Sequence, residues 1–171
     1  MTVTNVEKDA ATLTMTITAD LDAPVSRVWQ LWEDPRQLER WWGPPMYPAT
    51  FVEHDLAPGA TTTYFMTGPG GDQPRGWWRV LAVDAPHHLE FEDGFADDTG
   101  SPNPDMPTMI IRADLHEHDG GTRMTIATTF RSLAAMEQIL AMGMEEGMTA
   151  AIGQIDGILG AEIQQQHPQQ Q

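Results

Sequence analysis

The sequence predicts an α+β domain built on one antiparallel sheet. Three observations carry this. Period-two alternation recurs through the middle of the chain between Gly- and Pro-rich turns. Two short helical patterns lie near the start, and one long helical pattern closes the chain.

The first element is the stretch TLTMTITADL, with Leu13, Met15 and Ile17 on one face and threonines on the other, a half-buried strand. Pro24 suits the first turn of a helix, and Val25, Val28, Trp29 and Trp32 then form one apolar stripe. A second short helix, roughly Pro35 to Trp42, ends at Gly43-Pro44-Pro45. Strand patterns follow in YPATFVEHDL, ATTTYFMTG, GWWRVLAVD and HHLEFEDGF, and the polar, proline-rich ADDTGSPNPDMP reads as a loop. Met109, Ile111, Ala113 and Leu115 alternate before Asp119-Gly120-Gly121, and Met124, Ile126, Thr128 and Phe130 alternate after it, the clearest hairpin in the chain. From Ser132, a residue type that caps helices, to about Gln164 the spacing of Leu140, Met144, Met148, Ala151, Ile155, Ile158 and Leu159 predicts one continuous helix.

Composition narrows the function. A chain of 171 residues suits one domain, read here as residues 1–164 with a disordered Gln-rich tail at 165–171. The formal charge of −16, with Lys8 the single lysine, argues against nucleic acid and anionic membranes as partners. There is no cysteine, hence no disulfide or thiolate chemistry. No apolar run approaches a membrane span, and the N-terminus lacks the basic and apolar parts of a signal peptide, so a cytoplasmic protein is expected.

The order of elements, together with DPRQLERWWGPP, DLAPGA, RGWWRVLAVDAPHHLEFE, GGTRMTIATTF and MGMEEGMTAAIGQIDGIL, resembles the START/pollen-allergen-like helix-grip superfamily (SRPBCC). Within it the chain is similar to the branch of activators of heat-shock chaperone ATPase. The likeness runs from about Thr12 to Leu159. It implies a curved seven-stranded antiparallel sheet wrapped around the C-terminal helix, with two short helices after the first strand and a cavity between sheet and helix. Met148 stands where the family frequently has tryptophan. Superfamily members include lipid binders, cyclase-like enzymes and chaperone-stimulating domains, so the fold narrows function only partly.

Candidate cavity residues follow from this frame. Trp41 and Trp42 point about 100° apart on a helix, so one is expected to pack under the C-terminal helix while the other faces the cavity end or solvent. Tyr64, Trp77, Trp78, Arg79 and Phe91 lie in strands whose inner faces should line the cavity. Alternation groups Trp77 and Arg79 with Leu81 and Val83. Trp77 is therefore favoured inward, although a shift of one residue reverses the choice. Met109, Ile111, Met124 and Ile126 are expected to face Leu140 and Met144 of the long helix, with Glu137 close to its buried stripe near the N-terminal end and Gly143 also lining the cavity. Gly143 and Gly147 remove volume beside its buried stripe, either for close packing or for a ligand. Gly147 is expected against the sheet and Gly143 nearer the open end.

Other constellations carry less. His116 and His118 share a strand face with Arg112 and Asp114, which marks that face as solvent-exposed, and no third metal ligand is evident. The acidic residues Glu90, Glu92, Asp93, Asp97, Asp98 and Asp105 do not match a calcium loop and read as solvated charge. No nucleophile elbow or phosphate loop occurs. The expectation is a binder of an apolar small molecule with no cofactor, no metal and no assigned catalytic residue. The alternatives are a cyclase- or hydrolase-type enzyme using Tyr64, Arg79 or Glu137, or a chaperone ATPase-stimulating domain. The acidic surface and the lack of the activators' extra N-terminal domain argue against a chaperone partner.

Overall fold

The structure, a computed structural model, describes residues 3–166. Eight strands form one antiparallel sheet, one more than expected. They are β1 Val3–Asp9, β2 Thr14–Leu21, β3 Ala49–Glu53, β4 Thr61–Met66, β5 Arg75–Asp84, β6 His88–Ala96, β7 Met109–His118 and β8 Gly121–Phe130. Their order across the sheet is β1-β2-β8-β7-β6-β5-β4-β3. The additional strand is β1. Its sequence is polar, only Val3 and Val6 pack against the core, and a register shift between Val3 and Asn5 spoils any alternation. Helices α1 (Val25–Glu33) and α2 (Pro35–Leu38) therefore follow the second strand rather than the first.

The β7–β8 hairpin forms as expected. Met109, Ile111, Ala113, Leu115, Met124, Ile126, Thr128 and Phe130 all turn into the core. Helix α1 buries Val25, Val28, Trp29, Leu31 and Trp32. Helix α2 is only one turn long. It is capped by Asp34, whose side chain accepts from the Arg36 backbone N–H at 2.9 Å, and tight turns carry the chain on through Trp41 and Trp42.

The C-terminal segment is not one helix but three: α3 Leu133–Ala141, α4 Met144–Gly153 and α5 Ile155–Gln166. Ser132 caps α3 by accepting from the Ala135 N–H at 3.0 Å. The first break falls at Gly143, whose φ of +92° is left-handed, a conformation open to glycine at little cost. The second falls at Gln154, whose side-chain amide donates to the backbone carbonyls of Gly43 at 2.7 Å and Trp41 at 3.3 Å. That contact fastens the helical segment to the tryptophan corner. Residues 167–171 of the expected tail lie outside the described residues.

Candidate functional site

Five aromatic side chains build the floor of the molecule. Trp32, Trp41, Trp78 and Phe91 are wholly buried and Trp42 nearly so. Trp32 meets Trp41 edge-on with centroids 4.8 Å apart, Trp42 meets Trp78 edge-on at 4.9 Å, and Trp78 stacks on Phe91 at 4.0 Å. The Trp41 indole N–H donates to the Leu31 carbonyl at 2.9 Å. Trp41 is thus a wedge wholly within the core, and Trp42 is the ring that reaches the cavity.

That cavity lies between the sheet and the C-terminal helices and measures about 220 Å³. Trp42 and Pro44 close one end. Tyr64 and Met66 of β4, Asp93 and Phe95 of β6 and Met109 of β7 supply the sheet side. Ile139 of α3, then Met142, Gly143, Met144, Gly147 and Met148 around the helix break, supply the other side. Met142 is 58% exposed, so the cavity opens to solvent at the break.

Of the residues expected to line the cavity, Trp42, Tyr64, Met109, Gly143 and Met144 do so. Ile111, Met124 and Ile126 point inward but are fully packed core, as are Trp78 and Phe91 behind Trp42. Leu140 packs against the core beside the cavity, where its neighbour Ile139 takes the lining position. Glu137 lies on the exposed face of α3 and Arg79 on the exposed face of β5.

Trp77 is also reversed. Trp78 and Val80 face inward, whereas Trp77 lies on the outer face, with its N–H donating to the Phe95 carbonyl at 3.1 Å. The cause is a bulge between Val80 and Ala82. It turns Val83 inward to pair with Leu89, off the face that Trp77 shares with exposed Arg79 and Leu81, so the apolar Leu81 and Val83 do not mark one inner face with Trp77. Gly94, paired with Trp77, leaves room for the indole; a Cβ there would collide with the ring.

Gly147, expected to be close-packed, has no atom within 4 Å of where a Cβ would stand and borders the cavity. Gly143 serves the turn rather than helix packing.

The polar group missed in the sequence is Asp93. It occupies the inward face of β6 after Leu89 and Phe91 and is 8% exposed. The alternation Leu89-x-Phe91-x-Asp93 carries that signal, but the surrounding run of acidic residues masks it. The Tyr64 hydroxyl donates to Asp93 Oδ1 at 3.3 Å. Tyr64 reaches it across the intervening strand β5 because its partner there is Gly76, where a Cβ would collide with the phenol. Burial pushes the Asp93 carboxyl up to about 7, partly offset by hydrogen bonds from Tyr64 and the Gly94 N–H. Burial, followed by the Asp93 charge, raises the Tyr64 phenol well above its ordinary range. No lysine, arginine or histidine lines the cavity among the described residues.

His54 is held between Thr62 Oγ1 at 3.0 Å and the Trp32 carbonyl at 2.7 Å, and burial lowers its pKa. Among the described residues no three His, Asp or Glu side chains could hold a metal ion, and no helix is long and apolar enough to cross a membrane.

An open antiparallel sheet closed by C-terminal helices over an apolar cavity defines a helix-grip domain. The chain belongs to the family described as activator of Hsp90 ATPase homolog 1-like protein, whose model matches residues 22–160. It is similar to the crystal structure of protein Ms6760 from Mycobacterium smegmatis, at 54% identity over 92% of this chain and 96% of that one, with a TM-score of 0.86. A solution structure from Arthrobacter aurescens is 50% identical over 94% of this chain and 93% of that one, with a TM-score of 0.90. One from Staphylococcus epidermidis is 26% identical over 93% and 95%, with a TM-score of 0.80. Among curated proteins nothing matches.

Proposed function

We propose that this protein binds an apolar small molecule in the cavity between the sheet and helices α3 and α4. The observation that carries the reading is the lining itself. Five methionines (Met66, Met109, Met142, Met144 and Met148) and the Trp42 ring surround open space, and one buried polar pair, Tyr64 and Asp93, gives an occupant its orientation. Thioethers adapt to the shape of what they contact, and burial of ligand surface at about 25 cal/mol per Å² drives entry, less the cost of ordering. A volume of about 220 Å³ is below the roughly 300–1,000 Å³ typical of drug-sized sites, which suits a short occupant. The charge of −16 keeps nucleic acid and anionic membranes off the surface, in keeping with a cytoplasmic binder. Native mass spectrometry of protein purified from its own host tests the reading. A reproducible mass increment lost on denaturation supports it. Apo protein that also takes up no apolar probe overturns it.

A second reading, an enzyme of cyclase or hydrolase type, is favoured by Asp93, a carboxyl poised near neutral pH beside a phenol. Of the polar groups first considered for it, only Tyr64 reaches the cavity. Turnover of a bound compound that Asp93→Asn abolishes without loss of binding would establish it.

A further inference from the structure

We propose that the cavity's occupant is a small lipophilic amine, its ammonium group held by the Asp93 carboxylate and its hydrocarbon part lying among the methionines. The proposal rests on the cavity being a binding site. Asp93 places an acid inside an apolar wall with only the Tyr64 hydroxyl and the Gly94 N–H as hydrogen-bond donors. No cationic side chain lines this cavity among the described residues; Arg75 borders the smaller adjoining pocket that also touches Asp93, with its guanidinium over the Phe65 ring, 5.1 Å from the centroid. A buried carboxylate without a counter-charge is costly, and burial keeps this one protonated well above the ordinary carboxylate range. An occupant that brings its own positive charge removes that cost and forms a charge-assisted hydrogen bond.

The surroundings fit the same chemistry. Trp42 and Tyr64 both line the cavity, edge to face with centroids 6.4 Å apart, and aromatic faces attract an ammonium. An occupant with a carboxylate or phosphate would set like charge against Asp93 and approach a molecule of charge −16. A neutral alcohol could share a hydrogen bond with the pair but supplies no counter-charge.

Isothermal titration calorimetry at pH 8 with n-octylamine, octan-1-ol and octanoate, which share one chain length, separates these cases. The expected result is octylamine at least about tenfold tighter than octanol, and octanoate weakest. In Asp93→Asn the amine should fall to the level of the alcohol, while octanol binding, retained within about threefold, shows the cavity intact. Glu137→Gln, an exposed charge on α3, should leave the amine preference unchanged. Octanol binding as tightly as octylamine to the native protein overturns the amine assignment and leaves the cavity reading standing. That comparison needs no variant. An amine preference that survives Asp93→Asn, or that falls equally in Glu137→Gln, overturns the role given to Asp93. No binding of any of the three overturns the cavity reading itself.

Discussion

Gly76 lies directly beneath the Tyr64 phenol, its partner on the neighbouring strand, and the ring crosses it to hydrogen-bond Asp93 one strand further on. The polar end of the cavity therefore depends on a missing side chain. Replacing Gly76 with alanine should drive the ring off its seat and cost about 1–3 kcal/mol, the usual range for overpacking. Chemical denaturation measures the cost. NMR titration of the Asp93 carboxyl should show its pKa changed, because the Tyr64 bond that lowers it is gone. A variant as stable as the parent with an unchanged Asp93 titration would mean the ring does not lie there.

Asp93 also makes stability depend on pH. Its carboxyl is raised from 3.8 to about 7 in the fold, so the folded state holds a proton that the unfolded chain has already released. The folded state is thus unpenalised below about pH 4 and loses stability as pH rises toward 7. At about 1.4 kcal/mol per pKa unit the full penalty is on the order of 4 kcal/mol. Asp93→Asn should be increasingly stable relative to the parent between pH 4 and pH 8, as read by urea denaturation at each pH. A difference that stays flat with pH would show that Asp93 ionises normally.

Much of the fold was legible in the sequence because it rests on alternation that nothing interrupts. Met109 to Leu115 and Met124 to Phe130 turn inward as their spacing predicts. What was misread traces to local interruptions. The bulge after Val80 turns Val83 inward and away from Trp77's face, which alternation alone does not show, and the shift between Val3 and Asn5 hides strand β1. Gly143 reads as a glycine inside a helix because Met144 and Met148 continue the apolar spacing on its far side, and spacing does not report φ. Of the walls, Trp42, Met109 and Met144 could be anticipated, whereas Met66, Met142 and Met148 are not among the expected lining. The polar end of the site could not be anticipated, because Asp93 sits in a run of solvated acids and Gly76 acts only through a strand pairing.

The two glycines of the helix break should respond oppositely to alanine. At Gly143 the left-handed φ of +92° makes a Cβ cost about 1–2 kcal/mol. At Gly147 the space is empty and the position is helical, so alanine should stabilise by up to about 1 kcal/mol while narrowing the cavity. Thermal denaturation of both variants reads the sign. Destabilisation at Gly147 would reveal a packed neighbour there.

Tryptophan emission separates the rings. An apolar probe in the cavity should change intrinsic fluorescence saturably through Trp42. Trp42→Phe should remove most of the change and Trp77→Phe should leave it, since Trp77 lies on the opposite face of the sheet. Loss of the signal in Trp77→Phe alone would reverse that assignment.

The central claim is that the space between the sheet and the helix break admits an apolar molecule. Methionine methyl NMR tests it most directly, because five methionines line the cavity while Met15 and Met124 are sealed in the core away from it. On titration with octan-1-ol, the methyl signals of Met109, Met144 and Met148 should move together and saturate, with those of Met15 and Met124 still. Shifts confined to exposed Met46, or no saturable shift at any cavity methionine, would contradict the account.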